Sequence, residues 1–308
     1  MKKILLNVSL IFLVIFPFKV FALSTTEDKE KTDIYKNASL TLNYDYEDYI
    51  FDNTLVNIYY IAQFTSDYQY ILSDEFLEYQ IEFNGLHTEY DWEILEQTLN
   101  SYIETDNIKE KYSLLITNNK IQISDLKPGL YFIKTDKINN KDYLFLFNDF
   151  LLSVPYFNDN GLLDNQIVAN VKTEIYTPKY ENITYSVTKK WKDSDKNRPR
   201  SVSIDIYKDN KLVEKRILSQ NNNWTYSWDT VDDGSEWNVV ERNVTADYKV
   251  SILKNDNNFI IINTSIKEVD NPKTSDNIIL FFYLLILSLI GVSLIIINLF
   301  IKSKKNGK

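Results

Sequence analysis

Beyond about residue 38, apolar and polar residues alternate along most of the chain, the period of strands with one buried face. Leu40, Leu42 and Tyr44 share one parity, as do Val56, Ile58 and Tyr60. The same reading predicts strands over 79–83, 112–117, 120–123, 130–134, 143–147, 151–154 and 167–176, and again from 183. One segment changes period. Between Asp91 and about Glu104, the residues Trp92, Leu95, Leu99, Tyr102 and Ile103 recur at helical spacing. Asp91 is the expected N-cap, with Glu93 and Glu96 near the positive helix end. A helix of this kind packs on a sheet for structural reasons. Thr177-Pro178-Lys179 then interrupts the strand pattern, because Pro has no N–H for a ladder, and marks a boundary near 177–182.

The two ends are apolar without alternation. Lys2 and Lys3 precede an apolar stretch over 4–18, followed by Val20-Phe21-Ala22. This is the layout of a cleaved secretory signal, cut after Ala22 or alternatively after Ser24. At the other end, 278–301 holds no charge and Lys302, Lys304, Lys305 and Lys308 follow. As a helix the run is long enough to cross a hydrocarbon layer of about 30 Å, and the lysines would hold that end in the cytoplasm. On physics alone it is a membrane anchor. The interior is long enough for two domains of ordinary size, 38–180 and 181–268, behind a charged leader over 23–37.

The chain carries a net charge of −9. Its ends hold seven lysines (Lys2, Lys3, Lys19, Lys302, Lys304, Lys305 and Lys308) against Asp276, so the interior is more acidic still. That argues against nucleic acid as a partner, since phosphate binding needs a basic face. With no cysteine, disulfides, thiolate catalysis and Cys-ligated metals are excluded. His87 is the only histidine, so a multi-His metal site is excluded too, and its polar neighbours place it in a surface loop. Abundant Tyr and Phe (22 and 17) against six Gly and six Pro suit aromatic-rich strands.

The sharpest chemistry lies after residue 183. Ile183, Tyr185, Val187, Lys189 and Trp191 share parity, which turns Lys189 towards a core. Trp237, Val239 and Glu241 share parity, as do Phe259, Ile261 and Asn263, although Ile260 and Ile262 leave the last strand's inward face open. A buried Lys, carboxyl or carboxamide is costly alone, and the three can satisfy one another. Burial lowers the lysine pKa and raises the carboxyl pKa. That gives a neutral amine nucleophile and a protonated acid to polarise the Asn263 carbonyl, which is what an intramolecular isopeptide bond requires. Lys190 is the second-choice nucleophile, with outward parity.

Other patterns carry less. Asp193-Ser194-Asp195 lacks the third Asp, the turn Gly and the closing Glu of a calcium loop and reads as solvated carboxylates. Phosphate loops, nucleotide fingerprints and nucleophile elbows are absent from the sequence. No turnover site stands out and no cofactor is implied, so the chain reads as a non-enzyme. Tyr44, Tyr46 and Tyr49, beside Asp45, Glu47 and Asp48, form either an aromatic binding surface or an exposed strand face.

Five motifs then occur in order: Val187-Thr188-Lys189-Lys190-Trp191, Arg198-Pro199-Arg200-Ser201-Val202, Asn223-Trp224-Thr225-Tyr226-Ser227-Trp228, Val239-Val240-Glu241 and Ile262-Asn263-Thr264. Over about 182–268 they resemble the collagen-adhesin B-type (Cna B) repeat. The stretch 230–236 is shorter than in that family and lacks its Leu-Pro. The resemblance implies a Lys189–Asn263 isopeptide bond with Glu241 assisting. In the first domain, the helix with Trp92 and Thr98-Leu99, followed by Ile123-Ser124-Asp125-Leu126-Lys127-Pro128-Gly129-Leu130-Tyr131, resembles pilin and surface-protein sandwich domains. Pro128-Gly129 is expected as a tight turn with Gly at φ > 0. The opening strand, 40–44, offers no inward lysine, so no cross-link is expected in this domain.

The tail resembles the cell-wall sorting signal of Gram-positive surface proteins: Asn271, Pro272, Lys273, Thr274 and Ser275, then the span and the basic end. Asn271 stands where the commonest motif has Leu, and Ser275 where it has Gly, which points to a variant sortase. The resemblance implies cleavage after Thr274 and transfer to peptidoglycan or to a pilin lysine. Tyr176-Thr177-Pro178-Lys179 is similar to the Y-P-K pilin motif with Thr177 inserted; Lys179 is a candidate acceptor lysine, or an ordinary linker residue. The expectation is an all-β protein of two tandem Ig-like/Cna B-type β-sandwich domains, the first with a helical insertion, secreted and covalently anchored to a Gram-positive wall. Its expected role is a minor or basal pilus subunit, with sortase, peptidoglycan and other pilin subunits as partners. The alternative is a stand-alone adhesin whose first domain binds a host ligand.

Overall fold

The computed structural model describes residues 38–67, 69–83, 86–158, 161–194 and 198–266. The expected signal peptide, leader, sorting motif 271–275 and span 278–301 lie outside them. Among the described residues no helix is long and apolar enough to cross a membrane. The chain divides into two compact units. Of the described residues, one unit holds those up to Phe76 together with those of Lys109–Tyr176; the other holds those of Leu77–Ile108 together with those from Thr177 on.

The first unit is built from β1 (Ala38–Asn43), β2 (Leu55–Phe64), β3 (Tyr70–Leu72), β4 (Tyr112–Leu115), β5 (Lys120–Leu126), β6 (Gly129–Thr135), β7 (Ile138–Asn139), β8 (Leu144–Phe147), β9 (Phe150–Val154), β10 (Tyr156–Phe157), β11 (Leu163–Asp164), β12 (Gln166–Asn170) and β13 (Thr173–Tyr176). β1 lies between β12, which it pairs in parallel, and antiparallel β5. A second sheet runs β3-β2-β6-β9, with β4 also on β2. Alternation does what it should here: Leu40 and Leu42 of β1 and Val56 and Ile58 of β2 are buried in one core with Tyr131, Ile133, Phe145 and Phe147. The expected strand over 167–176 is two strands, broken at Val171 and Lys172, and the expected strand over 79–83 is irregular. Tyr44 is core, not surface, and its hydroxyl lies 2.9 Å from the Thr135 Oγ1; Tyr46 and Tyr49 pack partly buried against that core.

Gly129 serves a different purpose from the one expected. It does not take positive φ; instead, a Cβ there would overlap the Tyr60 ring and the Ala62 carbonyl. β6 therefore approaches β2 more closely at this end than any side chain permits. Gly129→Ala is expected to destabilise this unit by about 1–3 kcal/mol, read as a lower denaturant midpoint with unchanged slope.

In the second unit, β14 (Asn182–Lys192), β17 (Thr225–Val231), β19 (Tyr248–Asn255) and β20 (Asn258–Ser265) form a sheet in the order β17-β14-β20-β19. β15 (Ser201–Lys208), β16 (Lys211–Ser219) and β18 (Trp237–Arg242) form another, in the order β16-β15-β18. The first and last strands, β14 and β20, are parallel neighbours. Tyr185, Val187, Ile204, Ile206, Val239, Phe259 and Ile261 make the buried interior, and Tyr185 stacks on Trp228 at 5.5 Å.

The helix corrects the expected domain plan. It spans Glu89–Asp106 (α1) and lies in sequence between strands of the first unit, yet it belongs to the second. The reason is its apolar face: Leu95, Leu99, Tyr102 and Ile103 are buried as α1 packs against β18 and β19. Its N-cap is Thr88, not Asp91. Asp91 occupies the third helical position and completes a capping box, its carboxylate accepting from the Thr88 N–H at 2.9 Å while Thr88 Oγ1 accepts from the Asp91 N–H. Hydrogen bonds donated by the Thr88 hydroxyl and by the Thr88 and His87 N–H groups hold the Asp91 carboxyl below the usual carboxylate range. His87 is exposed just before the cap, in keeping with a surface position.

Candidate functional site

The residues singled out in the second unit converge. β14 places Lys189 on its inner face, opposite Ile261, and β20 places Asn263 on the same face, opposite Trp191. Lys189 and Asn263 are thus diagonal neighbours on adjacent strands. The open parity of β20 resolves in favour of Phe259, Ile261 and Asn263, all at most 1% exposed. Glu241 reaches the pair from β18, in the other sheet. Lys190 points outward and is exposed.

Lys189 and Glu241 are each 4% exposed. The Lys189 Nζ lies 3.3 Å from the Glu241 Oε2, an ion-pair distance without hydrogen-bond alignment, and donates to the Lys190 carbonyl at 3.2 Å. The Trp191 ring covers it, with 4.3 Å from Nζ to the ring centroid. The Asn263 Nδ2 donates to the Glu241 Oε1 at 2.9 Å, while the Asn263 Oδ1 is buried without a hydrogen-bond partner. Turning the carboxamide over would bring Oδ1 to the carboxyl, where a protonated Glu241 could donate to it.

The electrostatics follow from burial. Desolvation holds the Lys189 amine down at about 8, outweighing the attraction of Glu241. Desolvation also pushes the Glu241 carboxyl above its ordinary value, outweighing Lys189 and the Asn263 hydrogen bond. Both shifts favour the uncharged forms, an amine beside a carboxylic acid beside a carboxamide. A cavity of about 230 Å³ adjoins the group, with Ser201, Ser203, Asn243 and Thr245 in its wall alongside Glu241 and Asn263.

Sequence periodicity and motif order led to these three residues. The match to known proteins falls on the same stretch: residues 185–264 fit the sequence profile of the Cna protein B-type domain. This unit carries a Cna B-type domain. A collagen adhesin of Staphylococcus aureus is 33% identical over 101 residues, which is 30% of this chain and 8% of that protein. The chain therefore spans less than a tenth of that relative's length. Among solved structures, a single B repeat unit of the collagen-binding surface protein of Staphylococcus aureus is 19% identical, covering 75% of this chain and 98% of that one at a TM-score of 0.26. A minor pilin of Streptococcus agalactiae is 13% identical, covering 74% and 96% at a TM-score of 0.26.

Two further expectations meet the structure differently. Asp193 is not a solvated carboxylate: its side chain is 4% exposed, pairs with Arg198 at 2.6 Å and accepts from the Tyr248 hydroxyl at 2.7 Å. Among the described residues no acidic or histidine cluster could hold a metal ion. Lys179 is exposed just before the Cna B-type domain, and its backbone N–H donates to the Asp232 carboxylate at 3.2 Å. Sequence reasoning missed the contribution of α1 to this unit. The Thr98-Leu99 pair was visible, but its partner, Ile252, lies far along the chain, and no local pattern links them.

Proposed function

We propose that this chain is a secreted, wall-anchored surface protein of the pilin type, a minor or basal pilus subunit, whose Cna B-type domain is locked by a Lys189–Asn263 isopeptide bond. The observation that carries this reading is the buried Lys189–Glu241–Asn263 group inside the Cna B-type match. The neutral Lys189 amine attacks the Asn263 Cγ. The Nζ–Cγ bond forms, the Cγ–Nδ2 bond breaks, and Nδ2 leaves as ammonia with the proton given up by Nζ. Glu241 supplies a proton to the carboxamide and takes one back from the amine, so it ends unchanged. The cavity beside Asn263 offers ammonia a way out. The process runs once per molecule and needs no cofactor.

Intact mass decides the point. The mature chain is expected to weigh one ammonia less than its sequence, and Lys189→Ala to restore the full mass. A wild-type chain at full mass sinks the cross-link. For attachment, we propose that a sortase recognises residues 271–275 and joins Thr274 to peptidoglycan or to the next subunit, with Lys179 as the candidate acceptor in a polymer. A stand-alone adhesin is the second reading, favoured by the similarity of the domain to part of a collagen adhesin. Blotting of wall material released by muramidase separates the two: a ladder lost with the pilin sortase supports the pilus, and one wall-linked species supports the adhesin.

A further inference from the structure

The Cna B-type match begins at residue 185, yet its sandwich is not complete without a segment from far upstream. β18 and β19 are edge strands of the two sheets, and Glu241 sits on β18. An edge is where water reaches a sandwich interior, so Glu241 is the exposed flank of the buried group unless something covers it. α1 packs against both edges.

Its fastening is specific. The Thr98 Oγ1 accepts from the Ile252 N–H at 2.8 Å, and the Gln97 Oε1 accepts from the Lys254 N–H at 2.6 Å, so side chains of the helix take the place of a further strand along β19. At the helix C-terminus the Asp106 carboxylate accepts both Arg242 Nη groups, at 2.9 and 2.6 Å, which fixes the residue next to Glu241. Tyr102 lies between these two fastenings, 7% exposed, with its ring centroid 4.4 Å from that of Tyr79, whose hydroxyl donates to Asp106. Tyr102, Tyr79, Asp106, Arg242 and Glu241 line one cavity of about 210 Å³. Burial, and then the charge of Glu241, push the Tyr102 phenol upward, so the phenol lies within electrostatic reach of that carboxyl.

We infer that α1 is a working part of the cross-linking site: Tyr102 is a positioning residue that seals Glu241 from water, making bond formation conditional on the docking of residues 77–108. This rests on the Lys189–Asn263 reading above. The bond then forms only after an upstream segment has taken its place, and it records that docking permanently. Among the described residues, the charged and titratable groups around Glu241 include Lys189 from β14, Tyr102 from α1 and Arg242 with its partners Asp106, Asp205 and Tyr207.

The test is the time course of ammonia loss, by intact mass, from the chain with both units during cell-free synthesis. Tyr102→Ala is expected to slow it by about tenfold or more, since one unit of pKa change in the neutral pair is a tenfold change in its population. Tyr102→Phe, which keeps the ring, is expected to stay close to wild type. Hydration favours the ion pair, so the Tyr102→Ala rate should also plateau lower and over a wider pH range than wild type. Simple loss of folded protein lowers the plateau without widening it. If Tyr102→Ala does not fold, Asp106→Asn decides: it keeps the ring, releases the Arg242 clamp and should also slow the bond. Wild-type rates in the folded Ala variant, or in Asp106→Asn where that one decides, overturn the inference alone. A wild-type chain that never loses ammonia overturns the cross-link reading and this inference with it.

Discussion

Lys189→Met is expected to lower the unfolding midpoint of the second unit by roughly 15–40 °C. The proposed cross-link from Lys189 to Asn263 would close a loop of about 75 residues, and loop-closure entropy assigns such a loop about 4–5 kcal/mol. For a domain of about 100 residues, each kcal/mol moves the midpoint by about 4–8 °C. Met fills the volume of the lysine stem, so no cavity confuses the result. Glu241, already held up by burial, can stay protonated beside Asn263 and avoids the cost of an unpaired buried charge. Scanning calorimetry of wild type and variant measures the difference. A shift of only a few degrees would mean that the wild-type unit holds no covalent loop. β14 and β20 are its first and last strands, so the same bond would carry tension directly between the two ends of the domain.

Glu241→Gln should leave the fold intact and slow ammonia loss by about 10²–10⁴-fold, the usual contribution of a positioned acid–base group. Gln can accept and donate hydrogen bonds but cannot pass a proton back and forth. The pH dependence provides a second check. The reactive pair, amine with carboxylic acid, holds the same number of protons as the unreactive ion pair. Its share is therefore constant between the two titration steps of the pair. Above the lysine step, near 8, the pair loses its proton and with it the acid. Below the Glu241 step, which burial raises above the ordinary carboxylate value, a second proton binds and the amine becomes an ammonium. The wild-type rate should be flat in between and fall about tenfold per pH unit on either side. A rate that keeps rising well above pH 8 would remove Glu241 from the reaction.

In the uncross-linked precursor the same lysine shift bears on stability. A depressed lysine pKa means that the unfolded chain binds more protons between about 8 and 10.5, so stability rises with pH across that window. Once the amide has formed, Lys189 no longer titrates and this dependence disappears. Comparing Glu241→Gln, which stays unlinked for longer, with wild type would expose it.

Much of this could be read from local pattern. Alternation located β1, β2, β6, β8, β9 and β14, because a half-buried strand must present apolar residues every second position. Parity alone turns Lys189 and Glu241 inward, since a side chain on a strand has only two faces to choose from. The helix was found by its period, and its cap was misplaced by three residues because Asp91 serves the capping box from inside the helix. The two-strand break at Val171 and the irregular path of 79–83 were hidden, since β-rich aromatic sequence looks alike in strands and in coil packed on a core. Tyr79 is buried against Tyr102 without any ladder.

The sequence by itself determined the strand-rich class, the boundary near 177, the inward lysine and carboxyl, and the ordered motifs of a Cna B-type domain, because each is fixed within a few residues by periodicity or side-chain type. Only the tertiary structure decided which face of β20 turns inward, that Asn263 stands diagonal to Lys189, that Gly129 marks a close strand approach, and that α1 joins the second unit. These depend on partners tens to hundreds of positions away, such as Thr98 with Ile252 and Asp106 with Arg242, and no local pattern carries the pairing of residues that meet only in the folded chain.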